Sequence, residues 1–310
     1  GRKMKMTEPI GRPTTVLRGI LRLNEPMSKH VSWRAGGVAA RVYIPADRAD
    51  LTAFLATLPQ REPLYFVGLG SNLLVRDGGY RGTVVLMHSP RGVMRAEGEL
   101  IYAEAGFACP KLARFAATRG FEGAEFLAGV PGTVGGALAM NAGCYGSETW
   151  DVVAKVLTVS RAGKLSERGP GDFATGYRRV ELRGSRLGED EWFLAAWFRF
   201  RPGDEKRARA RIKELLAKRI EEQPLELPNA GSVFRNPPGD HAARLVEASG
   251  LKGHEIGGAR ISEKHANFIV NPKGKAHAAD IEALIEHARD TVRRRFGVDL
   301  VPEVRIVGDA

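Results

Sequence analysis

The stretch Gly68-Leu69-Gly70-Ser71-Asn72-Leu73-Leu74-Val75 decides how the rest of this chain is read. It directly follows an apolar run, residues 64–67, that predicts a strand. Glycines after a strand let the backbone turn tightly and bring its N–H groups close to a phosphate. The opening imitates G-x-G-x-x-G, but Leu73 stands where the third glycine belongs. Residues 73–75 predict another strand, where a Rossmann dinucleotide site needs a helix N-terminus. No Gly-Lys-Ser/Thr is present, so P-loop chemistry is excluded as well.

Outward from this loop, residues 45–58 read as a helix with Leu51, Phe54, Leu55 and Leu58 on one face, and 83–87 as a strand. Strand–helix–strand alternation suggests a small α/β layer. A second region begins near residue 100. Its strand, 100–105, leads into a helix with Pro110 near the start and Leu112, Phe115 and Ala116 facing inward. Strands at 152–160 and 192–200 close it. The third region opens with a basic helix at 204–222, capped by Asp204, with Ile212, Leu215, Leu216 and Ile220 as its buried stripe. Helices at 240–249 and 280–296 follow, ended by Gly250 and Gly297. The last carries Ile281, Leu284, Ile285, Ala288 and Val292 in phase. The basic helix faces read as solvated surface.

A second glycine cluster lies in the middle region: Gly129-Val130-Pro131-Gly132-Thr133-Val134-Gly135-Gly136-Ala137, then Met140-Asn141-Ala142-Gly143. So much glycine with a proline predicts a fixed, irregular loop. Two such clusters in one chain make a phosphate cradle the better reading than ordinary turns. A diphosphate held between two loops points to a dinucleotide such as FAD.

The bulk numbers bound the rest. With 310 residues there is room for two or three domains. Cys109 and Cys144 are the only cysteines, too few for a disulfide framework, and no metal-ligand spacing accompanies them; a reducing, cytoplasmic setting fits. No apolar run approaches a membrane span. The first residues, 1–15, lack the apolar core of a signal peptide and read as a tail. Net charge is +11, from 47 Lys+Arg against 36 Asp+Glu. Nucleic-acid binding is one reading of that charge, but the aromatics are not interleaved with the basic residues. An enzyme handling polyanionic small molecules fits better.

Several strings in order resemble the UDP-N-acetylenolpyruvoylglucosamine reductase family, within the FAD-binding superfamily that includes vanillyl-alcohol oxidase. Pro26-Met27-Ser28-Lys29-His30 with Ser32-Trp33-Arg34-Ala35-Gly36-Gly37 is similar to the family's opening. The two glycine stretches resemble its flavin diphosphate loops. Asn229-Ala230-Gly231-Ser232-Val233-Phe234-Arg235-Asn236-Pro237 resembles its proton-donor motif. Gly257-Gly258-Ala259, His265-Ala266-Asn267-Phe268-Ile269-Val270-Asn271 and Pro302-Glu303-Val304 complete the pattern, over residues 22–308.

The resemblance implies an α+β fold: a two-part FAD-binding module of the vanillyl-alcohol oxidase type (21–95 and 96–203, after a tail at 1–20), then a C-terminal α+β substrate domain (204–310). It implies non-covalent FAD, NADPH as reductant, a UDP-sugar substrate and no metal, with no nucleic-acid or membrane partner; a monomer is the simplest state. The family's FAD contacts fall on Gly68, Gly70, Ser71, Asn72, Leu73, Gly129, Pro131, Gly132, Thr133, Gly135, Gly136, Ala137, Asn141 and Gly143. NADPH would reduce FAD, and hydride would pass to the enolpyruvyl double bond of the substrate. Negative charge then develops toward the substrate carboxylate, where Arg178 matches the family's cation. Glu303 matches a carboxyl that stabilises the enol-type intermediate and needs a raised pKa to donate a hydrogen bond. Ser232 matches the proton donor and, as a poor acid alone, requires help from its surroundings. Tyr177, Asn236, His265 and Asn267 are candidates to line the substrate.

Taken singly, these residues have bland readings: a surface arginine, a strand-ending Pro-Glu, a Gly-Ser turn, a structural histidine. Only the joint pattern overrides them. Two departures stand out. Val180 occupies a position where the family often has serine. The segment from Arg178 to residue 204 lacks the long, tyrosine-bearing insertion of the family's longer subclass, so the chain resembles the shorter one. A flavin oxidase of the same superfamily, with flavin attached through His or Cys, is the enzymatic rival, although Cys144 reads better as a small buried residue.

Overall fold

The computed structural model describes residues 16–88 and 91–310; of the predicted tail, most of 1–20 lies outside the described residues. The first layer is a four-stranded sheet. Strand β1 (Ile20–Pro26) runs antiparallel to β2 (Val38–Ile44). Helix α1 (Arg48–Thr57) then crosses over to β3 (Leu64–Val67), and β4 (Leu73–Val75) leads to β5 (Tyr80–Leu86). The order is β1-β2-β5-β3, with β5 parallel to both its neighbours. The apolar face predicted for residues 45–58 does bury Leu51, Phe54 and Leu55, and Asp47 caps α1 by accepting from Asp50 N. Hydrophobic burial of these stripes, about 25 cal/mol per Å² of apolar surface, is what holds helix to sheet.

The second layer is an antiparallel five-stranded sheet. It contains β6 (Met94–Glu97), β7 (Leu100–Glu104), β11 (Val153–Ser160), β12 (Leu165–Arg168) and β15 (Glu191–Arg199), in the order β12-β11-β15-β7-β6. Between β7 and β11 come α2 (Cys109–Thr118), the short strand β8 (Phe121–Glu122), α3 (Val134–Met140) and a pair of two-residue strands, β9 (Gly143–Cys144) and β10 (Ser147–Glu148). A hairpin, β13 (Phe173–Gly176) and β14 (Arg179–Leu182), projects before β15. After β16 (Arg201–Pro202), α4 (Glu205–Glu222) lays Ala208 and Ile212 into this layer's core beside α2. The predicted stripe of α4 holds for Ile212 and Leu215, but Ile220 is exposed, because the helix has run past the core by its last turn.

One element corrects the sequence reading. Residues 134–140, read as irregular loop, form the helix α3. Thr133 caps it, its Oγ1 accepting from Gly136 N at 3.3 Å. Glycine serves packing here: a Cβ on Gly135 would come within 2.9 Å of Ala105 Cβ. The helix rests directly on the end of β7, and its glycine lets the backbones approach.

The third unit is a meander of β17 (Glu255–Ile256), β18 (Ala259–Ile261) and β19 (Ile269–Val270), covered by α5 (Ala242–Ala248) and α6 (Ala278–Phe296). All five residues predicted for the buried stripe of α6 are buried, and Gly297 ends it at φ 67°. Strand β20 (Arg305–Val307) then returns to pair in parallel with β4. Further ties run across the same boundary. Asp77 accepts from Ala278 N and Ala279 N, capping α6 from the first layer. Arg76 pairs with Glu282. Trp33, fully buried, donates to Ile269 O, and Asn271 donates to Trp33 O. Among the described residues no helix is long and apolar enough to cross a membrane.

Candidate active site

The two glycine stretches meet face to face. A Cβ on Gly68 would collide with Thr133 Oγ1, and one on Gly132 (φ 147°) would lie 2.7 Å from Ser71 Oγ. Gly70, at φ 65°, presses against the backbone of His30 and Val31 and accepts from both the N and Oγ of Ser32. The family-like opening segment is thus the brace behind the first loop. Among the described residues the backbone N–H groups of Leu69, Gly70 and Ser71 donate to no protein acceptor. Consecutive free N–H groups on a turn form an anion-binding concavity. That cradle, closed by the second loop, is the observation that fits a dinucleotide diphosphate.

The C-terminal end of α3 joins this cradle to the hairpin. Asn141 ends the helix in the left-handed region at φ 49°. Its side chain donates to Glu148 Oε2 and Gly176 O and accepts from Trp150 N, so it organises the neighbouring backbone. Asn72 reaches across to Met140. Arg178 occupies the two-residue tip between β13 and β14 at φ 51°, a conformation that costs a non-glycine residue about 1–2 kcal/mol. The strain is borne because its guanidinium is fixed from three sides. Nη1 donates to Asn141 O at 3.1 Å, Nη2 to Gly143 O at 2.9 Å, and Nε to Glu303 Oε1 at 2.5 Å. The two side chains are only 16% and 13% exposed, so this pair is largely sealed from water. Burial pushes the Glu303 carboxyl above the usual carboxylate range, and the Arg178 charge opposes that push without cancelling it.

Ser232 stands on the turn that closes the third side. Gly231 (φ 70°) comes within contact of both flavin-type loops, 3.8 Å from Pro131 Cγ and 3.9 Å from Ser71 O when a Cβ is built on it. From there the chain runs antiparallel to the segment holding Glu303. Glu303 N donates to Val233 O, Phe234 bridges to Pro302, and Arg235 N donates to Val301 O. Asn267 supports this strip from behind: its Oδ1 accepts from Phe234 N, its Nδ2 donates to Phe234 O, and its backbone O accepts from Val233 N.

The structure therefore brings Arg178, Glu303 and the Ser232 turn together and places the substrate candidates unequally. Tyr177 is half exposed beneath the Arg178 guanidinium, and its hydroxyl accepts from Asn236 N. Asn236 accepts from Ala242 N, which orders the start of α5. Asn267 is buried, with both its amide oxygen and its amide nitrogen bonded to the Phe234 backbone. His265 accepts from Asn267 N and stacks edge-on against Phe268; burial holds it below the usual imidazole range. Both sit behind the Ser232 strip. Cys144 donates to Phe126 O, and burial pushes its thiol up to about 11, which makes it a poor nucleophile. The sequence reading assigned no part to Arg235, although it lies inside the quoted Ser232 motif.

Two family models match the chain: one described as an FAD binding domain, over residues 39–168, and one described as the C-terminal domain of UDP-N-acetylenolpyruvoylglucosamine reductase, over residues 223–307. The first matches the region that contains both glycine loops, and with the cradle it defines the class: this is an FAD-binding oxidoreductase. Among curated relatives, the UDP-N-acetylenolpyruvoylglucosamine reductase of Thiobacillus denitrificans is 55% identical, with 99% of this chain and 98% of the relative aligned. That of Alkalilimnicola ehrlichii is 58% identical over 94% of this chain and 96% of the relative. The crystal structure of the reductase from Thermus caldophilus superposes with a TM-score of 0.76 at 29% identity, covering 94% of this chain and 99% of its own. The chain belongs to the UDP-N-acetylenolpyruvoylglucosamine reductase family.

Proposed function

We propose that this chain reduces UDP-N-acetylglucosamine enolpyruvate to UDP-N-acetylmuramate, with NADPH as the electron source, in peptidoglycan precursor synthesis. The observation that carries the reading is the largely buried Arg178–Glu303 pair, joined across two units beside the Ser232 turn and the diphosphate cradle. The loops at 68–73 and 129–137 would hold FAD, which when bound would supply the hydride chemistry needed at the substrate's double bond. The remaining steps belong to side chains.

Arg178 uses three of its five N–H groups on Glu303 and two carbonyls, which leaves two for the substrate carboxylate. Charge that develops there in the transition state meets a guanidinium already oriented, so little reorganisation is needed. A substrate carboxylate at Arg178 also offsets the charge that keeps Glu303 ionised. Burial then favours the protonated acid, which can donate a hydrogen bond to the enol-type intermediate. Ser232 has no protein partner for its hydroxyl among the described residues, and it is our candidate for delivering the proton to the carbon beside the carboxylate. Tyr177 and Asn236 border the open side. Asn141, Asn267 and His265 act as positioning residues in this reading. We also read the chain as two flavin-binding units, 21–95 and 96–203, and a substrate unit beginning after residue 203, with α4 as the bridging helix.

The test is direct. Purified protein is expected to be yellow, to release free FAD on acid denaturation, and to oxidise NADPH rapidly only when UDP-N-acetylglucosamine enolpyruvate is added. Colourless protein, or NADPH consumption indifferent to the substrate, would sink the proposal. Flavin that stays attached after denaturation would favour a covalent flavin oxidase instead.

A further inference from the structure

Buried polar groups in folded proteins are almost always hydrogen-bonded, so an orphan calls for a ligand or a role. Arg235 is such an orphan. Its Nε is buried with no partner, and among the described residues its guanidinium makes no hydrogen bond and no ion pair. Among the described residues the only other orphan of this kind, Arg260 Nε, belongs to a side chain that pairs with Glu255 at 3.6 Å. Among the described residues Arg235 has no carboxylate within ion-pair distance.

Its place in the fold says which way the group serves. In the antiparallel strip, Val233 lies opposite Glu303 and Arg235 opposite Val301. Side chains of such a ladder alternate between faces, so Arg235 and Glu303 are diagonal neighbours on one face. The positive charge of Arg235 is felt at Glu303, beside that of Arg178. Among the described residues Arg178 and Arg235 are the cations whose charge acts on this carboxylate, and Arg178 alone is bonded to it. The reaction centre therefore holds one arginine largely engaged by protein and a second with all its side-chain donors free.

We infer that Arg235 is a second anion-binding residue of the substrate site, donating its unused N–H groups to an oxyanion of the UDP-sugar. The inference rests on the activity proposed above. The shared chemistry is an anionic oxygen, which the substrate offers on its carboxylate and on its diphosphate. Guanidinium suits either, because its planar fork pairs with two oxygens at once.

The experiment uses FAD-loaded enzyme and follows binding through the change in the flavin spectrum. Two ligands are titrated into wild type, Arg235→Gln and Arg235→Lys: the enolpyruvyl substrate, and UDP alone. Arg235→Gln is expected to weaken the substrate at least tenfold, with Arg235→Lys intermediate because it keeps charge without the fork. Equal weakening of UDP assigns the diphosphate; unchanged UDP binding assigns the carboxylate. Both outcomes support the inference. Substrate affinity within twofold of wild type in Arg235→Gln overturns it, even if wild type turns over normally. Wild-type enzyme that binds neither ligand overturns the proposed activity itself, and this inference falls with it. FAD content and thermal midpoint guard against misfolding, and should Arg235→Gln fail to fold, Arg235→Lys alone decides: affinity equal to wild type overturns the inference, and a loss of threefold or more supports it.

Discussion

The proposed flavin cradle and the proposed reaction centre touch each other, yet they are made of opposite materials. The cradle is backbone: glycines at 68, 70 and 132 without room for a side chain, and free N–H groups between them. The centre is side chain: a charged pair 125 residues apart in sequence and a serine on a third segment. A cradle of this kind tolerates almost no added atom but carries no chemistry. The centre, in the reading proposed above, carries the chemistry on side chains rather than on backbone. Binding and turnover should therefore be separable by mutation.

The widest separation is expected at Ser232. Ser232→Ala should keep FAD and flavin reduction by NADPH while product formation falls about 10²–10⁴-fold, the usual range for a lost proton donor. Parallel stopped-flow measurements of the two half-reactions check this, and an equal fall in both would remove Ser232 from the role. Arg178→Lys should lower product formation about 10²–10³-fold, because a point charge replaces a guanidinium held from three sides. FAD retained at wild-type stoichiometry in that variant would confirm that the centre is dispensable for the cradle.

From the other side, Gly68→Val should release FAD and destabilise the fold by about 1–3 kcal/mol through overpacking against Thr133. Flavin content after gel filtration, with the unfolding midpoint, decides it. The pH dependence sharpens the contrast further. Glu303 has a raised folded-state pKa, so its protonated form is fully present at low pH and lost as pH rises through that value. The same sign holds for its contribution to stability. Product formation should carry an alkaline limb above the ordinary carboxylate range, and Glu303→Gln should abolish the limb. Flavin reduction by NADPH should lack it in both proteins. The smallest effect is expected at Asp77→Ala, which removes the cap of α6 at a cost of about 1 kcal/mol by denaturant titration, with kcat within twofold of wild type.

Legibility in the sequence divides along the same line. Local patterns were readable: the strand before and after the Gly68 loop, the stripe of α6, and the ending glycines at 250 and 297. Helix α3 was not, because glycine normally weakens helices, and only the contact with Ala105 explains why Gly135 belongs in one. The strand β1 was missed because most of its residues are exposed and give no alternation. Ile220 fits the helical period yet faces solvent, since periodicity cannot say where a core stops. Of the centre, residue identities came from resemblance. The way Asn141 and Gly143 hold Arg178, and the free guanidinium of Arg235, depend on contacts between remote segments that no local window contains.

The pairing of β4 with β20 sets a timetable. Leu73–Val75 is synthesised directly behind the first glycine loop, and its partner Arg305–Val307 emerges only after the second sheet and helices α4 to α6 have been made. Asn72 O likewise waits for Arg305 N. The loop proposed for the diphosphate is thus braced by residues made long after it, which on that reading makes cofactor capture a late step in the synthesis of the units described here. A chain released with residue 300 as its last should fold its four- and five-stranded sheets but fail to hold FAD, measurable as a colourless product with native-like circular dichroism.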